Sequence, residues 1–306
     1  MGVWGAGLYS SDFAKDLSSA ARAVARLPYD SDRLAEIVCS AEPGAATNPA
    51  DEDHTTFWLV LADQFAKKGI VCERVRQKAI SIIDNGDDLA MLSKLGMDAA
   101  GLRKRGKMLA ELRQSIVNAT VPARPRKILK KPQEFLMNAG DVLVYPTSGG
   151  NIINPYFASV EKIVPEWRQD GWGAAVIVET GRSFDFLAWY RPLTIAMTTA
   201  AKPGVQELLA NPLWVLKRAG TCSAAHFKKM RLEKAGTVAI DREKLDRCFA
   251  DRPDGMDEAV NDISIANRLD VGPALQATSI RMPGDPANPK AGRPFRAIRS
   301  LEEILV

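Results

Sequence analysis

The first 120 residues carry apolar side chains at the three- and four-residue spacing of amphipathic helices. The first set begins at Phe13, after Ser11 or Asp12 as the capping residue, and ends before Pro28. Further helices are predicted over residues 33–41, before Gly69, before Gly86, over residues 89–95 and over residues 102–116. Because the two helices that end at Gly69 and Gly86 are separated by a short connection, we expect them to pack as an antiparallel hairpin. Residues 42–53 are predicted to form a polar loop.

The pattern changes after residue 120. Pro122, Pro125 and Pro132 interrupt a basic stretch and predict an extended connector, because proline disfavours helix. Beyond it, β-branched and aromatic runs separated by Gly, Pro and Asp predict antiparallel strands over residues 141–145, 158–164, 173–179 and 184–193. Short helices are predicted over residues 205–209 and 242–250, with a late strand over residues 236–240.

These elements predict an α+β fold, in which a helical N-terminal domain is followed by a small antiparallel β-sheet or barrel domain. A length of 306 residues agrees with two domains. The predicted parts are a helical domain over residues 1–120, a basic proline-containing linker over 121–133, a β-rich domain over 134–250 and a partly extended C-terminal tail over 251–306.

Composition narrows the classes of protein to which the chain can belong. With 46% hydrophobic and 25% charged residues, it is in the ordinary globular range. No apolar run reaches the roughly 20 residues that cross a bilayer, and the N-terminus lacks the patterns of a signal peptide or a myristoylation site. We therefore expect a cytoplasmic protein that does not contact membranes.

Catalytic and metal-binding signatures are sparse. The four cysteines form no Cys-x-x-Cys pair, and only two histidines are present, which lowers the expectation of a zinc site or of hydrolytic chemistry. Cys222 and His226, four residues apart, are better explained by burial of the cysteine than by a nucleophile pair. No cofactor, metal or catalytic residue is predicted, and a non-enzymatic protein is favoured over an enzyme.

Basic residues are concentrated between Arg103 and Lys131. This window holds ten basic residues and one acidic residue, Glu111, whereas the whole chain has a net charge of only +4. Such a patch attracts nucleic acid or an acidic protein surface, but a solvated linker and helix face is the simpler explanation. The candidate groups for an anionic partner are Arg103, Lys104, Arg105, Lys107, Arg124, Arg126, Lys127, Lys130 and Lys131.

Several acidic residues are alternative candidates for a site. Asp12 and Asp16 are one helical turn apart, and together with Asp51, Asp53, His54 and Asp63 they could bind a divalent metal or supply a pair of catalytic carboxylates. Helix capping by Asp12 is the structural explanation and is preferred.

The C-terminal half is rich in aromatic residues. Alternation along the strand predicted over residues 184–193 places Phe184, Phe186 and Ala188 on one face, with Trp189 on the other. Most of these side chains are expected in the core, and Trp189 is the candidate anchor for a partner. Residues 148–151, Ser-Gly-Gly-Asn, predict a hairpin turn rather than a phosphate-binding loop.

Three segments resemble known bacterial proteins. The N-terminal Met-Gly-x-Trp-Gly-x-Gly segment, followed by two aspartates four residues apart, resembles the start of a widespread bacterial family for which no reaction is known. Residues 57–64 also resemble this family, and residues 139–146 are similar to the first strand of certain toxin-immunity proteins. The resemblance implies structural roles for Trp4, Gly5, Gly7, Asp12, Asp16, Gly140 and Asp141. By analogy it also implies a binding or immunity role.

Three functional hypotheses follow. The first is a non-enzymatic interaction protein, an immunity or defence-locus component whose β-rich half binds a protein partner. The second is a nucleic-acid-binding protein that uses the basic segment over residues 103–131. The third is a metal-dependent enzyme that uses the N-terminal acidic residues.

Overall fold

A computed structural model describes residues 5–118, 126–153, 168–196, 198–210, 213–249, 297–298 and 300–306. The chain divides into two compact units, here called the helical unit and the β unit, with the division between Pro132 and Gln133. Helices dominate the first unit and an antiparallel sheet dominates the second, which confirms the predicted α+β class. The predicted strand over residues 158–164 lies outside the described residues.

The helical unit contains seven helices among its described residues. They are α1 (Asp12–Val24), α2 (Ser31–Ala41), α3 (Pro43–Thr47), α4 (His54–Lys68), α5 (Glu73–Asn85), α6 (Asp87–Lys94) and α7 (Ala99–Val117). The helix-ending signals act as predicted, since Gly69 and Gly86 follow α4 and α5 with left-handed φ angles of 65° and 74°. The predicted loop over residues 42–53 is wrong in part, because Pro43 begins the short helix α3.

Helix α4 forms the centre of the helical unit. Phe57, Leu59 and Leu61 are fully buried although they point in different directions around the helix axis. The helix contacts α1, α3, α5, α6 and α7, so apolar side chains are needed around its whole circumference. The expected packing of α4 against α5 is confirmed.

The β unit contains seven strands among its described residues. They are β1 (Asp141–Ser148), β2 (Asn151–Ile152), β3 (Gly171–Ser183), β4 (Leu187–Ile195), β5 (Trp214–Leu216), β6 (Glu233–Thr237) and β7 (Ala297–Ile298). The strands run in the order β2-β1-β3-β4-β5-β7, and β6 pairs with β1. All pairings between these strands are antiparallel. The helices of this unit are α8 (Val205–Leu209), α9 (Ala224–Lys229) and α10 (Arg242–Phe249).

Both faces of the sheet are covered by apolar side chains. One face packs against α10 and a short 3-10 helix (Leu301–Ile304), and the apolar cluster there includes Trp214 of β5 and Phe249 of α10. The other face is centred on Tyr145 and Tyr190, with Met137 and Met230 above them. The described end of the chain is therefore part of the fold, because Leu301 and Ile304 lie in the core.

The two hairpin turns show where sequence patterns specify a turn and where they do not. Gly149 and Gly150 have φ angles of 56° and 76°, which confirms the predicted turn between β1 and β2. Phe184 and Asp185 also have positive φ angles, of 50° and 59°, so strand β4 begins at Leu187 rather than at residue 184. The late strand is similarly displaced, to Glu233–Thr237.

Candidate anion-binding site

A cleft between α1 and α4 is lined by four basic and four neutral polar side chains. It has a volume of about 430 Å³ and opens to solvent. The lining residues are Tyr9, Lys15, Ser18, Ser19, Arg22, Gln64, Lys67 and Lys68. None of these described side chains is aliphatic or a carboxylate. This surface, called the α1–α4 cleft, therefore offers cations and hydrogen-bond donors to a ligand.

The seven-residue spacing of two basic residues on α1 places both of them at the cleft. Lys15 and Arg22 are seven residues apart and share one helical face, and Arg26 follows four residues later. Ala14 and Ala21 lie on the buried face, where each is at most 1% exposed, so the small side chains allow close packing of α1 on α4. The amphipathic pattern of α1 thus buries one face and leaves its basic residues at the cleft.

The last turn of α4 provides the other two cations, Lys67 and Lys68. Basic side chains are stabilised here by the partial negative charge of the helix C-terminus. Lys67 Nζ lies 2.7 Å from Oδ2 of Asp63, one turn earlier, and the Asp63 side chain is only 11% exposed. The ion pair with Asp63 therefore fixes the position of the Lys67 ammonium at the cleft.

Tyr9 closes the floor of the cleft. Its hydroxyl donates a hydrogen bond to the Asp63 carboxylate and accepts one from Gln64 Nε2. Burial, and then the hydrogen bond to Asp63, raise the pKa of the Tyr9 phenol well above its usual value. The Lys67 ammonium lies 5.3 Å from the centre of the Tyr9 ring, within the range of a cation–π contact. Tyr9, Asp63 and Gln64 consequently form a hydrogen-bonded network at the floor of the cleft, and the Tyr9 phenol in it is neutral.

Arg22 is oriented by its own helix. Its Nε donates to the Ser18 carbonyl at 3.1 Å, and Nη2 donates to Ser18 Oγ at 2.8 Å. A guanidinium has five N–H donors, so these two bonds set the direction of the group without using its full capacity. The cleft can therefore bind phosphate or carboxylate oxygens at a pre-oriented arginine.

The predicted basic window does not form one surface. Arg103, Lys104 and Lys107 are exposed on α7, as predicted. Arg105 is 3% exposed, and its guanidinium donates to Asp88 through Nε and Nη2 at 2.8 and 3.0 Å. This corrects the prediction for Arg105, because its charge is neutralised in the interior by a carboxylate.

The second half of the window is anchored elsewhere in the helical unit. Arg126 donates to the carbonyls of Ala25, Leu27 and Tyr29, which follow α1, so it holds the connector in place. This corrects the prediction for Arg126 as a group available to a partner. Lys127, Lys130 and Lys131 are exposed, and the Leu129 N–H bonds the Arg26 carbonyl at 2.8 Å. Arg124 lies outside the described residues.

The N-terminal acidic residues separate into different environments. His54 is buried with Nδ1 2.7 Å from the Ala45 carbonyl, and Asp63 belongs to the Tyr9 network. Burial, followed by the charges of Asp53, Asp51 and Asp16, raises the pKa of Glu42. Within the described ranges, no group of three His, Cys, Asp or Glu residues is arranged to hold a metal ion.

Three residues of the resembling segments, Gly7, Gly140 and Asp141, have structural contacts. The Gly7 carbonyl accepts a hydrogen bond from Arg105 at 2.8 Å. A Cβ at Gly140 would lie 2.3 Å from the Val238 carbonyl oxygen, which explains the glycine there. Asp141 accepts a hydrogen bond from the Asn138 N–H and pairs with Lys234. Gly5 and the aspartates Asp12 and Asp16 are exposed, and Trp4 lies outside the described residues.

The remaining candidates lie in the β unit. Trp189 is half-buried, and its ring lies across Gly181 on the neighbouring strand, where a Cβ would be only 2.3 Å from it. Burial raises the pKa of the Cys222 thiol to about 12, so this thiol is protonated at neutral pH and is a poor nucleophile.

Sequence reasoning missed the α1–α4 cleft. The seven-residue spacing of Lys15 and Arg22 was a usable signal, but their proximity to Lys67 and Tyr9 depends on tertiary packing.

None of the helices in the described part of the chain is both long and apolar enough to cross a membrane. Comparison of the chain with models of protein families, with curated proteins and with solved structures found no match.

Proposed function

We propose that this chain is a nucleic-acid-binding protein whose helical unit holds a phosphate backbone in the α1–α4 cleft. The observation that carries the proposal is the convergence of Lys15, Arg22, Lys67 and Lys68 around one opening of about 430 Å³. Cations gathered on one surface supply most of the affinity of proteins for nucleic acid.

The chemistry of the lining favours phosphate over a protein surface. Protein interfaces usually depend on buried aromatic or apolar anchors, and the described lining contains only the Tyr9 ring, which is engaged with Lys67. The exposed hydroxyl of Ser19 is instead suited to a phosphate oxygen, next to the cations of the cleft.

The basic surface also continues beyond the cleft. Arg26 is exposed after α1, and its carbonyl accepts the hydrogen bond from Leu129. That contact brings the segment with Lys127, Lys130 and Lys131 to the end of α1. A strand of nucleic acid that follows α1 would therefore meet cations along more than one phosphate.

Fluorescence anisotropy with labelled single-stranded and duplex DNA tests this function. Wild-type affinity should fall steeply between about 50 and 200 mM salt. The variant K15Q/R22Q/K67Q/K68Q should reduce the log–log salt slope by about three to four, because roughly one counterion is released per phosphate contact.

The matched control is K94Q/R103Q/K104Q/K107Q, which removes three lysines and one arginine that are exposed on α6 and α7. This control should retain the wild-type slope to within about one. Equal losses in the two variants would mean that only net charge matters, and an absence of binding at low salt would overturn the proposal. Competition by polyglutamate as strong as by DNA would indicate an acidic protein ligand instead.

Protein binding by the β unit is a second candidate function, supported by the β3–β4 hairpin. Phe184 and Asp185 adopt the left-handed conformation there, which is strained for residues other than glycine and is frequent at functional sites. Trp189 is half-buried on the adjoining strand. An immunity or defence role would be of this kind, with toxin-immunity proteins as the analogy.

Affinity capture from cells that carry the native gene neighbourhood, followed by mass spectrometry, tests this second candidate. Trp189→Ala should lose a protein that wild type recovers, because large aromatic anchors dominate interface energies. Leu95→Ala, which truncates an exposed apolar side chain of the helical unit, should retain it. Equal recovery by all three proteins would count against Trp189 as the anchor.

A further inference from the structure

A second cavity in the helical unit has a different character from the α1–α4 cleft. It has a volume of about 730 Å³ and shares no lining residue with that cleft. The residues that line it are Cys39, Ala46, Thr47, Trp58, Arg74, Gln77, Lys78 and Ser81. They come from α2, α3, α4 and α5, so four helices build the cavity.

The floor of this cavity is apolar and fixed. Trp58 is 6% exposed, and its indole Nε1 donates to the Ala46 carbonyl at 3.2 Å. The Phe57 ring packs edge-on against Trp58, with 5.3 Å between the ring centres. Trp58 and Ala46 are each 6% exposed, so they give the floor of the cavity a small apolar patch that is already in place before a ligand binds.

The rim of the cavity is cationic. Arg74 and Lys78 are four residues apart on α5 and therefore lie on the same side of that helix. No carboxylate is present among the described lining residues. The nearby Glu36 and Glu73 pair with Arg33 and Arg76 respectively. The rim is consequently suited to an anionic group.

Cys39 contributes a neutral, polarisable thiol to the lining of the cavity. The Arg74 guanidinium lies 4.0 Å from its Sγ, and burial raises the pKa of the Cys39 thiol, an effect that Arg74 partly opposes. The thiol is half-buried, so a reagent can reach it when the cavity is empty. Cys39 is therefore a natural reporter of occupancy.

We propose that this cavity binds a small organic anion that has a flat apolar body, such as an aromatic carboxylate or sulfonate. The body would contact the exposed parts of Trp58 and Ala46, and the anionic group would bind Arg74 and Lys78 at the rim. The volume lies within the roughly 300–1,000 Å³ of typical small-molecule sites, which combine apolar walls with a few oriented polar groups. A polyanion would gain little affinity from the apolar lining of this cavity, so we expect it to bind the α1–α4 cleft instead.

The probe 8-anilinonaphthalene-1-sulfonate has the required chemistry and becomes fluorescent in apolar surroundings. Its binding to the full chain is measured by fluorescence, and its location by the rate at which Cys39 is alkylated by a maleimide, followed by peptide mass spectrometry. Saturating probe should slow alkylation of Cys39 at least about fivefold and leave Cys222 and Cys248, in the β unit, unchanged. Unchanged alkylation of Cys39 would overturn the proposal.

Two variants complete the test. R74Q/K78Q should weaken probe binding about tenfold or more, because each cation supplies a charge-assisted hydrogen bond. The matched control R103Q/K107Q removes an arginine and a lysine with the same spacing on α7 and should have no effect. Ser81→Trp, at an exposed lining position, should block the cavity and abolish the protection of Cys39. Equal weakening by the α7 control, or protection that survives in Ser81→Trp, would contradict the proposal.

Discussion

Arg105 and Arg22 are both arginines of the helical unit, but they lie in opposite environments. Arg105 is buried against Asp88, whose side chain is fully buried, and it also donates to the Gly7 carbonyl. Arg22 lies at the opening of the α1–α4 cleft, with two bonds to its own helix. The first arginine stabilises the fold, whereas the second is available to a ligand.

This difference shows that the number of basic residues in a window does not determine the charge of a surface. The window between Arg103 and Lys131 contributes a buried ion pair at Arg105 and a backbone anchor at Arg126. The cleft is formed by Tyr9 and by residues of α1 and α4, two helices that are about 50 positions apart in sequence. Stability and binding should therefore respond to different basic residues.

Loss of Arg105 should have the largest effect on stability. Arg105→Met leaves the Asp88 carboxylate buried without its cation, which costs about 3–5 kcal/mol of unfolding free energy. Urea denaturation measures the change. The double variant Arg105→Met/Asp88→Leu should recover part of the loss, since it removes both charges. No recovery would mean that packing, rather than charge, is responsible.

Loss of Arg126 should have an intermediate effect. Arg126→Gln removes bonds from the guanidinium to the carbonyls of Ala25, Leu27 and Tyr29, so we expect a loss of about 1–3 kcal/mol in the same assay. The control K127Q/K130Q/K131Q changes three exposed lysines of the same segment and should stay within about 0.5 kcal/mol of wild type. If the control and Arg126→Gln lose the same unfolding free energy, Arg126 does not anchor the connector.

Much of the helical unit could be predicted from local signals. Helix-ending glycines and three- and four-residue spacing located α1, α4 and α5, since these features act within a few residues of the chain. The inward position of Arg105 was also present in the pattern, because it shares the spacing of Leu109, Leu112 and Ile116 on the buried face of α7. An arginine within an apolar stripe indicates a buried partner.

Other features depend on tertiary structure and have no local signal. Phe184 and Asp185 adopt a left-handed turn that aromatic residues disfavour, so strand propensity extended β4 too far toward the N-terminus. Strand β7 pairs with β5 across about 80 residues of sequence. The α1–α4 cleft needs Tyr9 beside α4, which no spacing predicts.

Removal of the cleft cations should have a small effect on stability. Exposed charges contribute little to folding, and Tyr9 and Gln64 still donate to the Asp63 carboxylate when Lys67 is replaced, so K15Q/R22Q/K67Q/K68Q should unfold within about 1 kcal/mol of wild type. Saturating DNA should raise the melting temperature of the wild type but not of this variant, because a ligand stabilises only the state that binds it. A large loss of stability without ligand would show that the cleft is structural, like Arg105.

The smallest effect is expected at Glu42, which lies near the carboxylates of Asp53, Asp51 and Asp16. Burial, and then the charges of Asp53, Asp51 and Asp16, raise the pKa of Glu42, so its ionisation destabilises the folded state. A raised pKa means that the folded state holds this proton more tightly than the unfolded state. The stability it contributes is therefore complete below the usual glutamate pKa and is lost as pH rises through the raised value.

Glu42→Gln tests this sign. Gln removes the charge that burial and the neighbouring acids oppose, so the variant should melt at a slightly higher temperature than wild type near about pH 7, and the difference should vanish below about pH 4. Glu36→Gln is the control, because it removes an exposed carboxylate that pairs with Arg33, and it should not raise the melting temperature at neutral pH. A lower melting temperature of Glu42→Gln at neutral pH would mean that the Glu42 carboxylate stabilises the fold. Glu42 would then be a charged group that stabilises the fold, as Arg105 does, rather than one that contributes little to stability.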